Sequence, residues 1–363
     1  MDGLVFRTIA VFVATRVACL AALEIGGHHK HRSLSSLITS FDGGWYQSIA
    51  LHWYPTFIPS GRTSNAASLV FFPLYPTLLA GLHHLGLSIP AAATLVDTIA
   101  AGAAAVLMAK IVAPFAGNRV ALLTAALWTA YPLAVVLSLA YAESLFTALA
   151  VGTLYFLSRD RIPAAAVCVV LACLTRPSGI ALVVLLVLTG IRRRSPDIVG
   201  AAASGFLAIC AWMVYLDVRA HNSDAYFVAE RRGWNVFFDG GVNNLSRAFH
   251  YLTHPGQRAA ATAVAAMLVA IVVLLVVTWR LPDPRIPRIY VGYSLLLFVV
   301  AIWTRNSYSS IPRYMLPAFP ILIPIAVLLD RLPAVVRWGL VAVAAAAMAA
   351  LGVYVTLYST YPP

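Results

Sequence analysis

Apolar runs of about the length needed to cross a bilayer, roughly 20 residues, recur from one end of this chain to the other. Short Arg- and Lys-bearing clusters separate them. No other feature limits the fold so strongly. Of 363 residues, 61% are hydrophobic and only 10% are charged, against about 25% charged in ordinary soluble domains. A soluble globule of this size could not hide that much apolar surface. The expected architecture is an all-α polytopic membrane protein in which residues 1–363 form a single integral membrane domain.

Spans are expected over 4–25, 91–113, 119–138, 141–158, 197–217, 259–280, 288–304, 313–330 and 335–357. The stretch 162–191 is harder to place. At 1.5 Å per residue it reaches about 45 Å as one helix, too long for one ordinary span and too short for two. Charge decides the matter. Arg159 and Arg161 precede it, Arg192, Arg193 and Arg194 follow it, and such clusters collect on the cytoplasmic side. The segment therefore reads as a hairpin turning at Thr175-Arg176-Pro177-Ser178-Gly179, leaving a thin place where a wet cavity is tolerated. With the N-terminus cytoplasmic, Lys110 and Arg119, then Arg280, Arg285 and Arg288, then Arg331 and Arg337 all fall on the same inner side. The sum is about eleven transmembrane segments. Two long loops, 26–90 and 218–258, then lie outside, and long loops in helical bundles are candidate functional elements. The piece 71–84 is apolar, aromatic and short, which suits a helix lying in the outer interface.

The formal net charge of +12 is topology signalling, and without a basic stripe carrying interleaved aromatics it does not point to nucleic acid. Cys19, Cys168, Cys173 and Cys210 all fall in apolar segments and read as small core residues. The N-terminal segment is expected to be a retained helix, because Arg16 interrupts its apolar core and no clean cleavage site follows. His28-His29-Lys30-His31 has no Cys or carboxylate beside it and reads as a basic juxtamembrane face, so no resident metal or other cofactor is expected, although a divalent ion could assist. No Walker loop, dinucleotide fingerprint or HExxH helix is present.

Several residues are costly where they stand. Asp42 opens Asp42-Gly43-Gly44-Trp45-Tyr46, with His52, Trp53 and Tyr54 just beyond. A carboxylate there can accept a proton from a sugar hydroxyl while Trp45, Tyr46 and His52 contact a sugar or acceptor. The same stretch also suits an interfacial aromatic belt with a turn aspartate. Glu143 stands where one helix exits and the next begins, so it is either functional or a helix cap; Asp97 shares that ambiguity. Arg16, Arg176, Arg231, Arg232, Arg305 and Arg313 break the charge rule, and each requires an acid partner or a wet cavity. Convergence of several on one ligand points to a phosphate, which suits forked guanidinium donors.

Taken in order, Thr15-Arg16-Val17, the stretch from Phe41 to Ala50, Phe71-Phe72-Pro73-Leu74-Tyr75-Pro76, Ala142-Glu143-Ser144-Leu145-Phe146 and Thr175-Arg176-Pro177-Ser178-Gly179 resemble the PIG-V-like mannosyltransferases of the GT-C class of membrane glycosyltransferases. The match covers about the first half of the chain; the second half adds only the pair Arg313-Tyr314. The resemblance implies a GT-C-like bundle with interfacial helices in the first outer loop. It implies a polyprenyl-phosphate sugar donor, mannose first, used on the extracytoplasmic face of a membrane, and an acid in the first outer loop as general base. Asp42 takes that role; Glu143 and Arg176 match family positions. The family has a Ser-Asn-Gly type turn where this chain has Pro177-Ser178-Gly179, so any role of that asparagine does not transfer. Richness in Ala, Val and Arg suits a bacterial plasma-membrane member acting on a lipid or glycan acceptor.

The expected reaction is a single displacement inverting the anomeric centre, with Asp42 and Glu143 as the acids. Arg16, Arg176, Arg305, Arg313 and Tyr314 would receive the donor phosphate. The competing readings are a secondary transporter or lipid flippase, which intramembrane charge also suits, and a GT-C enzyme using another sugar.

Overall fold

The computed structural model describes residues 2–58, 64–281 and 286–359; Arg285, expected on the inner side, lies outside them. Among the described residues the regular structure is helical, with one isolated bridge between Phe238 and Thr304. Five helices are long and apolar enough to cross a membrane: α1 (Asp2–His29), α5 (Ile89–Thr129), α9 (Pro196–Arg219), α12 (Ala259–Arg280) and α16 (Ala334–Tyr358). Between α1 and α5 lie α2 (Leu34–Ile38), α3 (Asp42–His52) and α4 (Leu74–His84). The 11 residues of α4 reach only about 16 Å, so 71–84 is no span.

The thirty-residue segment folds back on itself as expected. Helix α7 (Ile162–Cys173) and helix α8 (Ile180–Arg193) are joined by a 3-10 turn over Pro177–Gly179. A Cβ at Gly179 would stand 2.8 Å from the Cα of Cys173, so the turn closes only with glycine there. The 12 residues of α7 cover about 18 Å, short of the hydrocarbon thickness of about 30 Å. Helix α9 covers both arms of the hairpin, and α5 packs against α1, α4 and α6 (Glu143–Ser158) at the centre of the bundle.

Two expected spans differ from what is seen. The segments 91–113 and 119–138 are the arms of α5, whose helical geometry breaks at Gly117 with φ 81°. The second arm stops at Thr129, short of 138, and a 3-10 turn over Ala134–Ser138 follows. Pro132 lacks an N–H and its ring opposes a helical carbonyl one turn back, so the helix ends before it. The segment 313–330 is likewise not one helix. It is divided into α14 (Ile311–Tyr314), a 3-10 turn over Phe319–Leu322 and α15 (Ile323–Asp330), with a bend of 81°. Pro312, Pro317, Pro320 and Pro324 each remove a helix donor. This break lets Arg313 enter the interior.

The second long loop is structured. It contains α10 (Ala225–Ala229), a π-helical turn over Glu230–Trp234, and α11 (Val242–Thr253) before α12; α13 (Arg288–Ile302) then leads into the strap 303–310 that ends at α14.

Candidate active site

Four charged side chains from four separate pieces of the chain meet in the interior. Arg313 Nη1 lies 2.8 Å from Asp42 Oδ2, and Arg313 Nε lies 3.2 Å from Glu143 Oε1. Arg176 Nη1 lies 2.5 Å from the same glutamate oxygen. The array carries two negative and two positive charges. Isolated charges would not survive this degree of burial, and together they neutralise one another. Neither glutamate oxygen and not Arg313 Nε has a partner in full hydrogen-bond geometry. These contacts are ion pairs at short range. Arg176 has a side chain 15% exposed and Asp42 13%, whereas Arg313 is 4% and Glu143 2% exposed. The first two keep some contact with solvent; the other two are enclosed.

Local sequence explains each placement. Asp42 begins α3, so its carboxylate stands at the positive end of the helix. Phe41 before it has φ 54°, a conformation that a bulky residue adopts only when its surroundings hold it. A Cβ at Gly43 would be 3.0 Å from Ile38 O and 3.3 Å from Ala140 Cβ. Glycine is therefore required for α3 to approach the segment leading into Glu143. The Ala140 N–H donates to Ile38 O at 2.8 Å, and the Asp42 N–H points at Tyr141 Oη at 3.4 Å. Glu143 stands in the first turn of α6 but makes no side-chain cap there; its oxygens turn to the arginines.

Arg176 is set by the hairpin. The Leu74 N–H donates to Leu174 O at 3.0 Å, so the first loop grips the turn two residues before the arginine. Phe72 and Tyr75 are buried beside this contact, and Tyr75 Oη donates to Asp97 Oδ2 at 2.7 Å. Asp97 thus serves Tyr75 rather than an arginine. Arg313 is set from the end of α5: Tyr131 Oη donates to Pro312 O at 2.8 Å and Trp128 Nε1 to Leu316 O at 3.0 Å. The Tyr314 ring lies 5.1 Å from the Arg176 guanidinium and 5.2 Å from that of Arg313, and Tyr141 stacks 5.1 Å from Arg313. Aromatic faces beside guanidinium groups add cation–π attraction to the pairing.

One turn beyond Asp42, Trp45 packs on Phe71 at 6.4 Å and Trp234 at 6.2 Å. Tyr46 is buried edge-on against Phe71 and Tyr75. Trp45 is thus half open beside the acid, while Tyr46 is part of the packing below it.

Other residues named from the sequence do not join this cluster. Arg16 is buried, but its guanidinium donates to Ala134 O at 2.6 Å, Thr129 O at 2.5 Å and Ser138 Oγ at 3.3 Å. The guanidinium bridges the end of α5 at Thr129 and the 3-10 turn that starts at Ala134, so Arg16 serves backbone where the helix stops. Arg305 is exposed over the Phe237 ring, and Arg231 and Arg232 are also exposed. His52 is exposed at the last residue of α3, about 15 Å along the helix axis from Asp42.

Two residues of the second loop were not foreseen. Trp234 completes the aromatic wall against Trp45 and Phe71 and donates from Nε1 to Ala67 O at 3.1 Å. Glu230 accepts from Tyr226 Oη at 2.9 Å, and burial pushes its carboxyl up to about 7. Tyr226 lies within electrostatic reach of Arg176 and Tyr314. No motif marks either residue; the one local signal is the acid amid the aromatics of 226–238. Among the described residues no group of three or more His, Cys, Asp or Glu could hold a metal ion.

The sequence matches no family model and no curated protein. Its fold does match solved structures. ArnT from Cupriavidus metallidurans, bound to undecaprenyl phosphate, is similar over 98% of this chain with a TM-score of 0.60 and 18% identity. The same protein in its apo state gives 0.56 at 17% identity. The Archaeoglobus fulgidus oligosaccharyltransferase, in complex with Zn and sulfate, is similar over 97% of this chain with a TM-score of 0.52 and 12% identity. The chain spans 66% of ArnT and 54% of the oligosaccharyltransferase. None of these likenesses shows the PIG-V-like family itself. At 18% identity or less, what these likenesses show is that the chain shares their helical membrane-protein fold.

Proposed function

We propose that this protein is an inverting membrane glycosyltransferase. It would move a sugar, mannose by its PIG-V-like resemblance, from a polyprenyl-phosphate donor to a lipid-linked or glycan acceptor on the outer face of a bacterial plasma membrane. The observation that carries this reading is the buried array Asp42–Arg313–Glu143–Arg176. It joins the two least enclosed members, the Asp42 carboxylate and the Arg176 guanidinium, through Arg313 and Glu143.

The chemistry follows from the charges. An acceptor hydroxyl gives its proton to Asp42 as its oxygen attacks the anomeric carbon. The bond from that carbon to the phosphate oxygen breaks, and its electron pair leaves with the polyprenyl phosphate. Attack from the face opposite the leaving group inverts the anomeric centre, as in single displacements at sugars generally. Oδ2 of Asp42 is held by Arg313, which leaves Oδ1 for the proton. The departing phosphate gains negative charge, and the Arg176 guanidinium is the open cation of the array that can stabilise it. Arg313 is a positioning residue: shared by both acids, it sets the direction of the Asp42 carboxylate. Trp45, with Phe71 and Trp234 behind it, offers an aromatic face to a sugar ring. Further support for an isoprenoid phosphate is that the similar ArnT was solved with undecaprenyl phosphate bound.

Sugar transfer by purified protein in lipid, from polyprenyl-phosphate mannose to extracted membrane glycolipids, tests the proposal. Transfer by the parent chain and its loss in a folded Asp42→Asn protein are the expected results. Failure of the parent chain across a panel of polyprenyl-phosphate sugars would sink the enzyme reading.

A further inference from the structure

Helix α11 has three distinct faces. At 100° per residue, Asn244, Ala248 and Tyr251 fall on one arc, and the first two are buried against the strap 302–308 and α12. Asn243, Arg247 and His250 fall on a second arc about 100° away, a polar one. The third arc, about 80° wide, carries Val242, Leu245, Phe249 and Leu252. These four side chains are between 45% and 71% exposed. An unbroken apolar arc of this kind is not a feature that water-facing surface tolerates well.

The arc has a continuation. Residues 254–258 link α11 directly to α12, whose exposed surface is Val269, Val272, Val273, Val276 and Val277. Since α12 is long and apolar enough to cross a membrane, an exposed row of valines on it suits hydrocarbon and not water. Leu245, Ala248, Leu268, Val272 and Ile302 also line one apolar groove between α11, α12 and α13. The apolar arc of α11 is thus the upper edge of a lipid-facing surface. Arg247 and Arg258 flank it, and basic side chains beside an apolar helix face suit anionic headgroups.

We propose that α11 is seated in the bilayer interface on the side of the Asp42 site, with Val242, Leu245, Phe249 and Leu252 against lipid chains. The seat anchors more than the helix. Asn244 Nδ2, on its buried face, shares its two N–H groups among Ile302 O at 3.0 Å, Thr304 O at 2.6 Å and Ser307 Oγ at 2.9 Å. Those atoms belong to the strap that leads into α14 and Arg313. The lipid surface thereby holds the segment that delivers Arg313 to the acids. This inference stands whether or not the chain transfers sugars, because it concerns only where the helix lies.

Single cysteines at 245, 249, 250 and 252, in a chain whose four native cysteines are replaced by alanine, would carry a bimane label in phosphatidylcholine nanodiscs. Lipids spin-labelled on the acyl chain should quench labels at 245, 249 and 252 several-fold more than at 250, and aqueous iodide should do the reverse. Only variants that elute as the parent chain does are scored, and three sites on one face keep the result independent of any single substitution. Equal iodide access at 249 and 250 would overturn the proposal by placing the arc in water. Protection of 249 from both quenchers would overturn it too, by showing that protein covers the arc.

Discussion

Arg16 and Arg313 are both buried arginines in apolar helical surroundings, 5% and 3% exposed, and they have opposite company. Arg16 meets two backbone carbonyls and a serine hydroxyl at a helix end. Arg313 meets two carboxylates that come from different parts of the chain. In the first region the cation's two terminal nitrogens are taken up by backbone and a hydroxyl, and among the described residues no acid stands beside it. In the second, two acids and two arginines neutralise one another, and an added anion or proton would redistribute all four. The partner, and not the burial, separates a structural arginine from a site arginine in a membrane protein.

The comparison can be broken by mutation. Asp42→Asn should lower transfer by about 100- to 10,000-fold, the usual range for losing a general base, with little change in thermal stability. Retained transfer in a folded variant would move the base elsewhere, Glu143 first. Glu143→Gln should affect both quantities. It leaves Arg176 and Arg313 short of an acid, and breaking a buried pair costs about 3–5 kcal/mol, measurable as a lower unfolding temperature in detergent. Arg16→Met should separate the two regions: stability falls by about 1.5–3 kcal/mol for each lost charged hydrogen bond, while transfer per folded molecule is unchanged. Loss of transfer in well-folded Arg16→Met protein would erase the distinction drawn above.

Arg176→Lys is expected to keep charge but lose the forked geometry, raising the KM for donor by about tenfold. The smallest effect concerns Glu230. Burial raises its carboxyl to about 7 from 4.5, so between these values the folded state binds more protons than the unfolded one. Stability should therefore fall as pH rises through this window and level off above it. Glu230→Gln should flatten that slope in thermal unfolding followed from pH 5 to pH 8.

Much of this was legible beforehand, for identifiable reasons. The hairpin over 162–191 follows from two arginine clusters that both belong on one side of a membrane and are joined by a segment of the wrong length for anything else. Asp42, Glu143 and Arg176 stood out because charge in apolar surroundings requires a reason. The end of α5 and the bend before α15 were missed, although Pro132, Pro312, Pro317, Pro320 and Pro324 were in plain view. An apolar run with prolines still reads as a span, since neighbouring helices can repair broken backbone bonds in a bilayer. Arg16 was misread because its partners are carbonyls, which every residue carries. Glu230 and Trp234 carry no motif; Trp234 gains its place from a contact with Ala67, 167 positions away, and Glu230 from its burial beside Tyr226.

The amino-acid sequence by itself determined that the chain is a helical membrane protein, roughly where its helices lie, and which charges would be hardest to accommodate. Length, hydropathy and the sidedness of arginine are local or additive properties, and local properties can be read one segment at a time. Only the tertiary structure decided which charges meet. Asp42, Glu143, Arg176 and Arg313 arrive from a loop helix, a helix start, a hairpin turn and a broken span. Their pairing depends on the close approach at Gly43, the tight turn at Gly179 and the grip of Trp128 and Tyr131 on α14. Ion pairing falls steeply with distance, so contacts set by packing across the whole bundle decide it, and no single segment carries that information.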